Sequence, residues 1–276
     1  MNRRTLKLSL AVLPILTLAV AASASLPSPV IPAHAEDEQD VGARYELLSA
    51  AQDFDGLVAL WREHPDAALV SFDADLERSL ALWEAAPEKP PTDEVERLHA
   101  RALLAARAAS QALETPIFGD YAAAFISWDD QSKRDFRDGQ KIVGASRAAL
   151  DEGDETRAAE LAENALQRTM YLGDWWGQAM SHAARGRAMQ ASSGLQHALA
   201  SYAQARQIYH DLHLSRSEFS NLRHMINMLL LLENWSRAEV AVADALVLAE
   251  KTGAEASVIE ELTKAQKRVD EARGGE

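Results

Sequence analysis

The sequence predicts an all-α protein: a helical-repeat solenoid of antiparallel helix pairs with a degenerate helical N-terminal half. Three observations predict it. From Tyr45 to the end, apolar residues recur at helical spacing in segments rich in Ala, Leu, Glu, Arg and Gln, with no alternating run of strand length. The breakers Pro65, Pro87, Pro90, Pro91, Pro116, Gly119, Gly139, Gly153, Gly173, Gly194 and Gly253 fall where helices have to end. The C-terminal half also repeats itself: Arg157-Ala158, His197-Ala198 and Arg237-Ala238 are 40 residues apart, and so are Ala165, Ala205 and Ala245. Between them, Ala162, Tyr202 and Val242 hold a third position in register.

The first 35 residues read as a secretory signal. Arg3, Arg4 and Lys7 make a basic start, Leu8 to Ala24 is an uncharged apolar run broken by Pro14, and two small-x-small sites follow, Ala22-Ser23-Ala24 and Ala33-His34-Ala35. The acidic Glu36-Asp37-Glu38 behind the second site places the expected cut after Ala35. An uncleaved anchor is the other reading, although the run of 17 residues is short for the roughly 20 that a bilayer span needs. Cleavage leaves no membrane span and an exported chain, periplasmic or secreted.

Residues 36–44, acidic and following Pro27, Pro29 and Pro32, read as a disordered lead-in. Over 45–138 the pattern predicts helices at about 45–52, 55–64, 67–86, 92–114 and 119–127, with the polar stretch Pro87-Glu-Lys-Pro-Pro91 between two of them. Thr92, with Glu94 and Glu96 behind it, starts the next helix, because acidic residues in a first turn oppose the helix dipole. The repeat domain occupies 139–276, and helices of ordinary length make about ten to twelve in all.

The repeated segments are Gly153-Asp-Glu-Thr-Arg-Ala-Ala-Glu160, Leu195-Gln-His-Ala-Leu-Ala-Ser-Tyr-Ala-Gln-Ala205 and Asn234-Trp-Ser-Arg-Ala-Glu-Val-Ala-Val-Ala-Asp-Ala245. On these residues the chain resembles the tetratricopeptide-repeat (TPR) family in a 40-residue variety, over about 139–273. The resemblance implies stacked helix pairs in a right-handed superhelix, whose first helices line a concave face that binds peptides. Departures from the pattern are plain. Twelve residues before the leading alanines stand Ser146, Gly186 and Ile226, of which only the glycine is the small residue expected, and no proline closes a unit. Residues 45–138 match loosely, through Asp53-Phe-Asp-Gly-Leu57 to Trp61, as a capping region.

The resemblance places Val143 and Arg147, Ala183 and Arg187, and Arg223 and Asn227 on the concave face. Arg147, Arg187, Arg223 and Asn227 would hold a carboxylate or a peptide backbone, because guanidinium groups donate paired hydrogen bonds to oxygen acceptors. The alternative is that the arginines pair with neighbouring glutamates. Trp175-Trp176 opens the first helix of the second unit, so Trp176 is either packed between pairs or a stacking surface for a ligand ring.

Composition bounds the function further. Without residues 1–35 the chain has 25 basic and 42 acidic residues, a net charge of −17, which repels nucleic acid and anionic lipid. The absence of cysteine removes disulfides, thiolate metal sites and cysteine nucleophiles. His210 and His213 have a spacing that can share a metal on a helix, but no acid completes the set, and a surface role is the reading taken. No nucleophile elbow, zinc-protease motif, phosphate loop or dinucleotide fingerprint occurs, so no catalytic residue, metal or cofactor is assigned. The expected function is a non-catalytic interaction module binding a protein or peptide partner. A small-ligand or glycan-binding helical protein is the alternative.

Overall fold

The computed structural model describes residues 33–274, with side chains from Asp40 onward. The leader assigned to residues 1–35 lies outside the described residues up to position 32. Twelve α-helices follow one another: α1 (Ala33–Ala50), α2 (Phe54–Glu63), α3 (Ala68–Ala85), α4 (Thr92–Ala112), α5 (Ile117–Ser127), α6 (Asp130–Asp151), α7 (Glu155–Leu172), α8 (Trp175–Ala191), α9 (Leu195–Asp211), α10 (Ser215–Leu231), α11 (Trp235–Thr252) and α12 (Ala256–Gly274). A 3-10 turn at Pro65–Ala67 links α2 to α3, and no strand occurs among the described residues. No helix among them is long and apolar enough to cross a membrane.

Each helix from α6 to α12 packs on the next, and α6 also touches α8, as α10 touches α12. This is the packing of a helical-repeat solenoid. The turns carry its period. A residue with positive φ closes the helix at Gly153, Gly173, Ser193, His213, Glu233 and Gly253, that is, every 20 residues. Three of these are not glycine, so half of the corners are invisible to a search for helix-ending glycines. At three of these corners a side chain caps the start of the next helix: Asp154, Asp174 and Asn234 accept from the backbone N–H of Arg157, Gly177 and Arg237.

The three residues that depart from or match the expected small position pack in three different ways. Gly186 lies under Tyr202, whose ring carbons would stand 2.7 to 3.0 Å from any Cβ placed there. Ser146 keeps its hydroxyl satisfied by donating to the Ala158 carbonyl at 2.7 Å. Ile226 is buried in the C-terminal core with Val242. Tyr202 cannot easily retreat, because its ring stacks on His224 at 4.9 Å and 7° and its hydroxyl donates to Gln190. Gly186→Ala is therefore expected to destabilise the fold by about 1–2 kcal/mol, although alanine is the better helix former by nearly 1 kcal/mol. Chemical denaturation of the two proteins side by side checks the sign.

α1 begins at Ala33 and thus runs through residues 36–44, which the sequence reads as a disordered lead-in. The physical reason is a short apolar stripe: Val41 and Tyr45, one helical turn apart, are buried, with the Tyr45 ring 5.8 Å from that of Trp61. The prolines before Ala33 suggested an extended chain, and the pair was too small a signal to oppose them.

The N-terminal helices build a core of their own around Trp61, Phe72, Phe118 and Phe125. Trp61 is fully buried and donates its indole N–H to the Ala105 carbonyl at 3.2 Å. This block does more than continue the row of pairs. Leu172 and Leu212, at the corners between successive pairs, belong to its core; the Trp128 indole donates to the Leu172 carbonyl at 3.0 Å, and Phe118 faces His213 at 6.2 Å. Further along, Lys251 donates to Asp66 at 2.9 Å and to Ser215 at 2.8 Å. The N-terminal half thus lies along the edge of the stack formed by the inter-pair corners.

Candidate functional site

α6, α8 and α10 are the first helices of the three repeated units and carry the arginine row. Arg147 on α6 is exposed and Arg187 on α8 is partly buried. Neither makes a hydrogen bond or ion pair with any described residue. Burial, and after it the like charge of Arg147, hold the Arg187 guanidinium below its ordinary pKa, while Tyr202, Tyr209 and Asp151 act in the other direction. A guanidinium keeps its proton under any such shift, so the consequence is an under-compensated positive charge.

The surroundings are aromatic. Tyr202 and Tyr209 on α9 are buried and lie within reach of the Arg187 charge. Burial pushes the Tyr209 phenol up to about 12, against the pull of Arg187 and Arg147, so it stays a neutral hydroxyl. His224, stacked on Tyr202, is held below its usual pKa by burial and then by Arg187 and Arg223, which leaves it uncharged at neutral pH.

Several other arginines of the repeat half are paired with acids. Arg185 pairs with Glu163, Arg206 with Glu218 and Asp244, and Arg168 with Asp135. Arg223 belongs with these: its guanidinium donates to Glu261 of α12 at 2.8 Å. Of the four residues read as a row, Arg147 and Arg187 are neighbours in charge, Arg223 is engaged by the last helix, and Asn227 is exposed on α10.

Trp176 occupies a different place. It is partly buried and packs against both the N-terminal core and the small cluster of Ala179, Ala183, Ala205 and Tyr209. Packing between two layers thus accounts for this ring, and its neighbour Trp175 is the more exposed. Val143 and Ala183, expected on the groove surface, are buried at 5% and 9% exposure.

Two features of the seam between the halves escaped the sequence reading. Asp73 on α3 accepts from the Tyr121 hydroxyl at 2.7 Å, and Asp174 caps α8; both are buried. Loss of hydration raises each carboxyl to about 7; Glu77 adds to both rises, and Asp73 adds to that of Asp174. The second feature is a cavity of about 690 Å³ above the Asp66–Ser215–Lys251 cluster, between the 3-10 turn and the start of α10. Asp174 was readable as a cap ahead of Trp175, but its burial beside an acid 101 positions earlier was not.

His210 and His213 take different partners. His210 pairs with Glu218 at 3.2 Å, while His213 lies against Phe118. Among the described residues no group of three or more His, Asp or Glu side chains is placed to hold a metal. No protein-family model matches the chain, and no curated protein sequence matches it either.

Proposed function

We propose that this protein is an exported, non-catalytic interaction module of the tetratricopeptide-repeat kind, which captures a protein or peptide partner on the face formed by α6, α8 and α10. The observation that carries the reading is the uncompensated pair Arg147 and Arg187. Arg185, Arg206 and Arg223 pair with acids, whereas these two guanidiniums bond to none, which leaves donors for a partner's oxygen atoms. The close seat of Tyr202 on Gly186 supports the family assignment, because intimate contact of the two helices of a pair is what that repeat requires. The basic, apolar N-terminal segment supports export.

Partner capture tests the reading. The full chain and an Arg147→Ala, Arg187→Ala double variant are used as bait on the exported fraction of the source cells, and the retained proteins are compared. A partner held by the wild type and depleted at least about tenfold from the variant, the loss expected for one charge-assisted contact, supports a module that binds on this face. Identical retention by both places the partner elsewhere.

A further inference from the structure

We propose that the cavity between the two halves is a binding site for a small zwitterion, an aliphatic α-amino acid or a dipeptide. The site does not depend on the docking face of α6, α8 and α10. The cavity holds about 690 Å³, within the roughly 300–1,000 Å³ in which proteins enclose small molecules, and it lies between two packed blocks, where such sites are common. Val41, Gly42, Pro65, Ala67 and Val70 of the N-terminal half give it an apolar lining, to which the repeat half adds Leu214.

The charged groups divide by sign between the walls. Glu63 and Asp66 stand at the end of α2 and in the turn after it, whereas Arg216 and Lys251 come from α10 and α11. Each acid keeps an acceptor. Asp66 bonds both Ser215 and Lys251 through Oδ1, and Glu63 bonds Arg44 through Oε2, so Oδ2 and Oε1 accept from no described residue. The Lys251 ammonium uses two of its three N–H groups on Asp66 and Ser215, and one remains. A ligand that is only an anion meets Glu63 and Asp66, and one that is only a cation meets Arg216 and Lys251. A molecule with both an ammonium and a carboxylate pairs with both walls, and charge-assisted bonds are the stronger kind.

Gly42 shows that the space is kept open. It lies in the middle of α1, where only proline forms helix less well, yet a Cβ there would meet nothing within 4 Å. No packing contact requires the glycine, and its bare backbone leaves room in the cavity that it lines.

Isothermal calorimetry on the full chain tests this with leucine, leucyl-leucine, and two molecules that each keep one of leucine's charges, isocaproate and isoamylamine. At least one zwitterion is expected to bind saturably with a Kd below about 1 mM, and the acid and the amine at least about tenfold more weakly, since each lacks a charge-assisted contact. Tighter binding of the dipeptide identifies a peptide as the ligand; tighter binding of leucine identifies the free amino acid.

Gly42→Leu fills the cavity and should abolish binding, with a thermal midpoint no lower than that of the wild type. Gly144→Leu makes the same change at an exposed glycine of α6 that also has open space around it, and should leave binding unchanged. Glu63→Gln should weaken leucine about tenfold without weakening isocaproate, a loss of selectivity that a general loosening of the fold would not produce. Absence of saturable binding by either zwitterion, equal affinity for the acid or the amine, or undiminished binding by a folded Gly42→Leu protein overturns the site.

Discussion

Arg101→Met is expected to lower the unfolding free energy by roughly 3–5 kcal/mol, the usual cost of leaving one member of a buried ion pair alone. Arg101 on α4 donates to Asp75 of α3 through Nε at 2.7 Å and to Glu46 of α1 through Nη2 at 2.9 Å. Tyr45 donates its hydroxyl to the same Asp75 carboxylate, and the guanidinium lies 5.3 Å from the Tyr45 ring centre. The side chain of Asp75 is only 5% exposed, so without the arginine its charge has neither water nor a cation. Methionine keeps most of the volume, which confines the loss to charge and hydrogen bonds. Arg101→Lys should recover part of it, since the ammonium reaches one acceptor group but not the fork of two. Urea denaturation of the three proteins checks the order. Equal midpoints for all three would mean that the network contributes nothing net.

Asp174→Asn is expected to act in the opposite direction and to stabilise the protein above neutral pH by roughly 1–3 kcal/mol. Asparagine caps a helix as well as aspartate does, so the bond to the Gly177 N–H survives while the buried charge is removed. The pH dependence follows from the raised carboxyls. Asp73 and Asp174 are pushed up to about 7 in the folded chain, against about 4 when unfolded, so between those values the folded chain binds more protons. Their contribution to stability is fully present below about pH 4 and is lost as the pH rises through 7. The variant and the wild type should therefore unfold together near pH 4 and diverge steadily toward pH 8. The partly buried histidines His99, His182, His213 and His224, all held below their usual pKa, act alike in both proteins and drop out of the difference. A gap independent of pH would show that Asp174 is not titrating at the seam.

Both predictions concern residues that a linear reading gives no reason to choose. Asp73, Asp75 and Asp174 look like any of the 42 acids of the chain, and Arg101 like any solvated arginine. Their roles depend on which helices meet. The groove arginines stand between these cases. Their 40-residue register was visible, because equivalent positions of a repeat fall on equivalent surfaces. Which of them an acid would claim was not, since Glu261 reaches Arg223 across 38 positions and only after α12 folds back on α10.

The sequence by itself determined the all-helical character, the helix boundaries to within a few residues from α2 to α5, and the 40-residue period, because helical spacing, capping residues and breakers are local properties of the chain. Only the tertiary structure decided that α1 extends back to Ala33, that Trp176 fills a seam, that the N-terminal half lies along the corners of the repeat stack, and that Glu261 claims Arg223. The physical reason is the same in each instance: burial and charge compensation are set by contacts between residues far apart in sequence, and a side chain's neighbours, more than its type, determine whether it packs, pairs or remains available to a ligand.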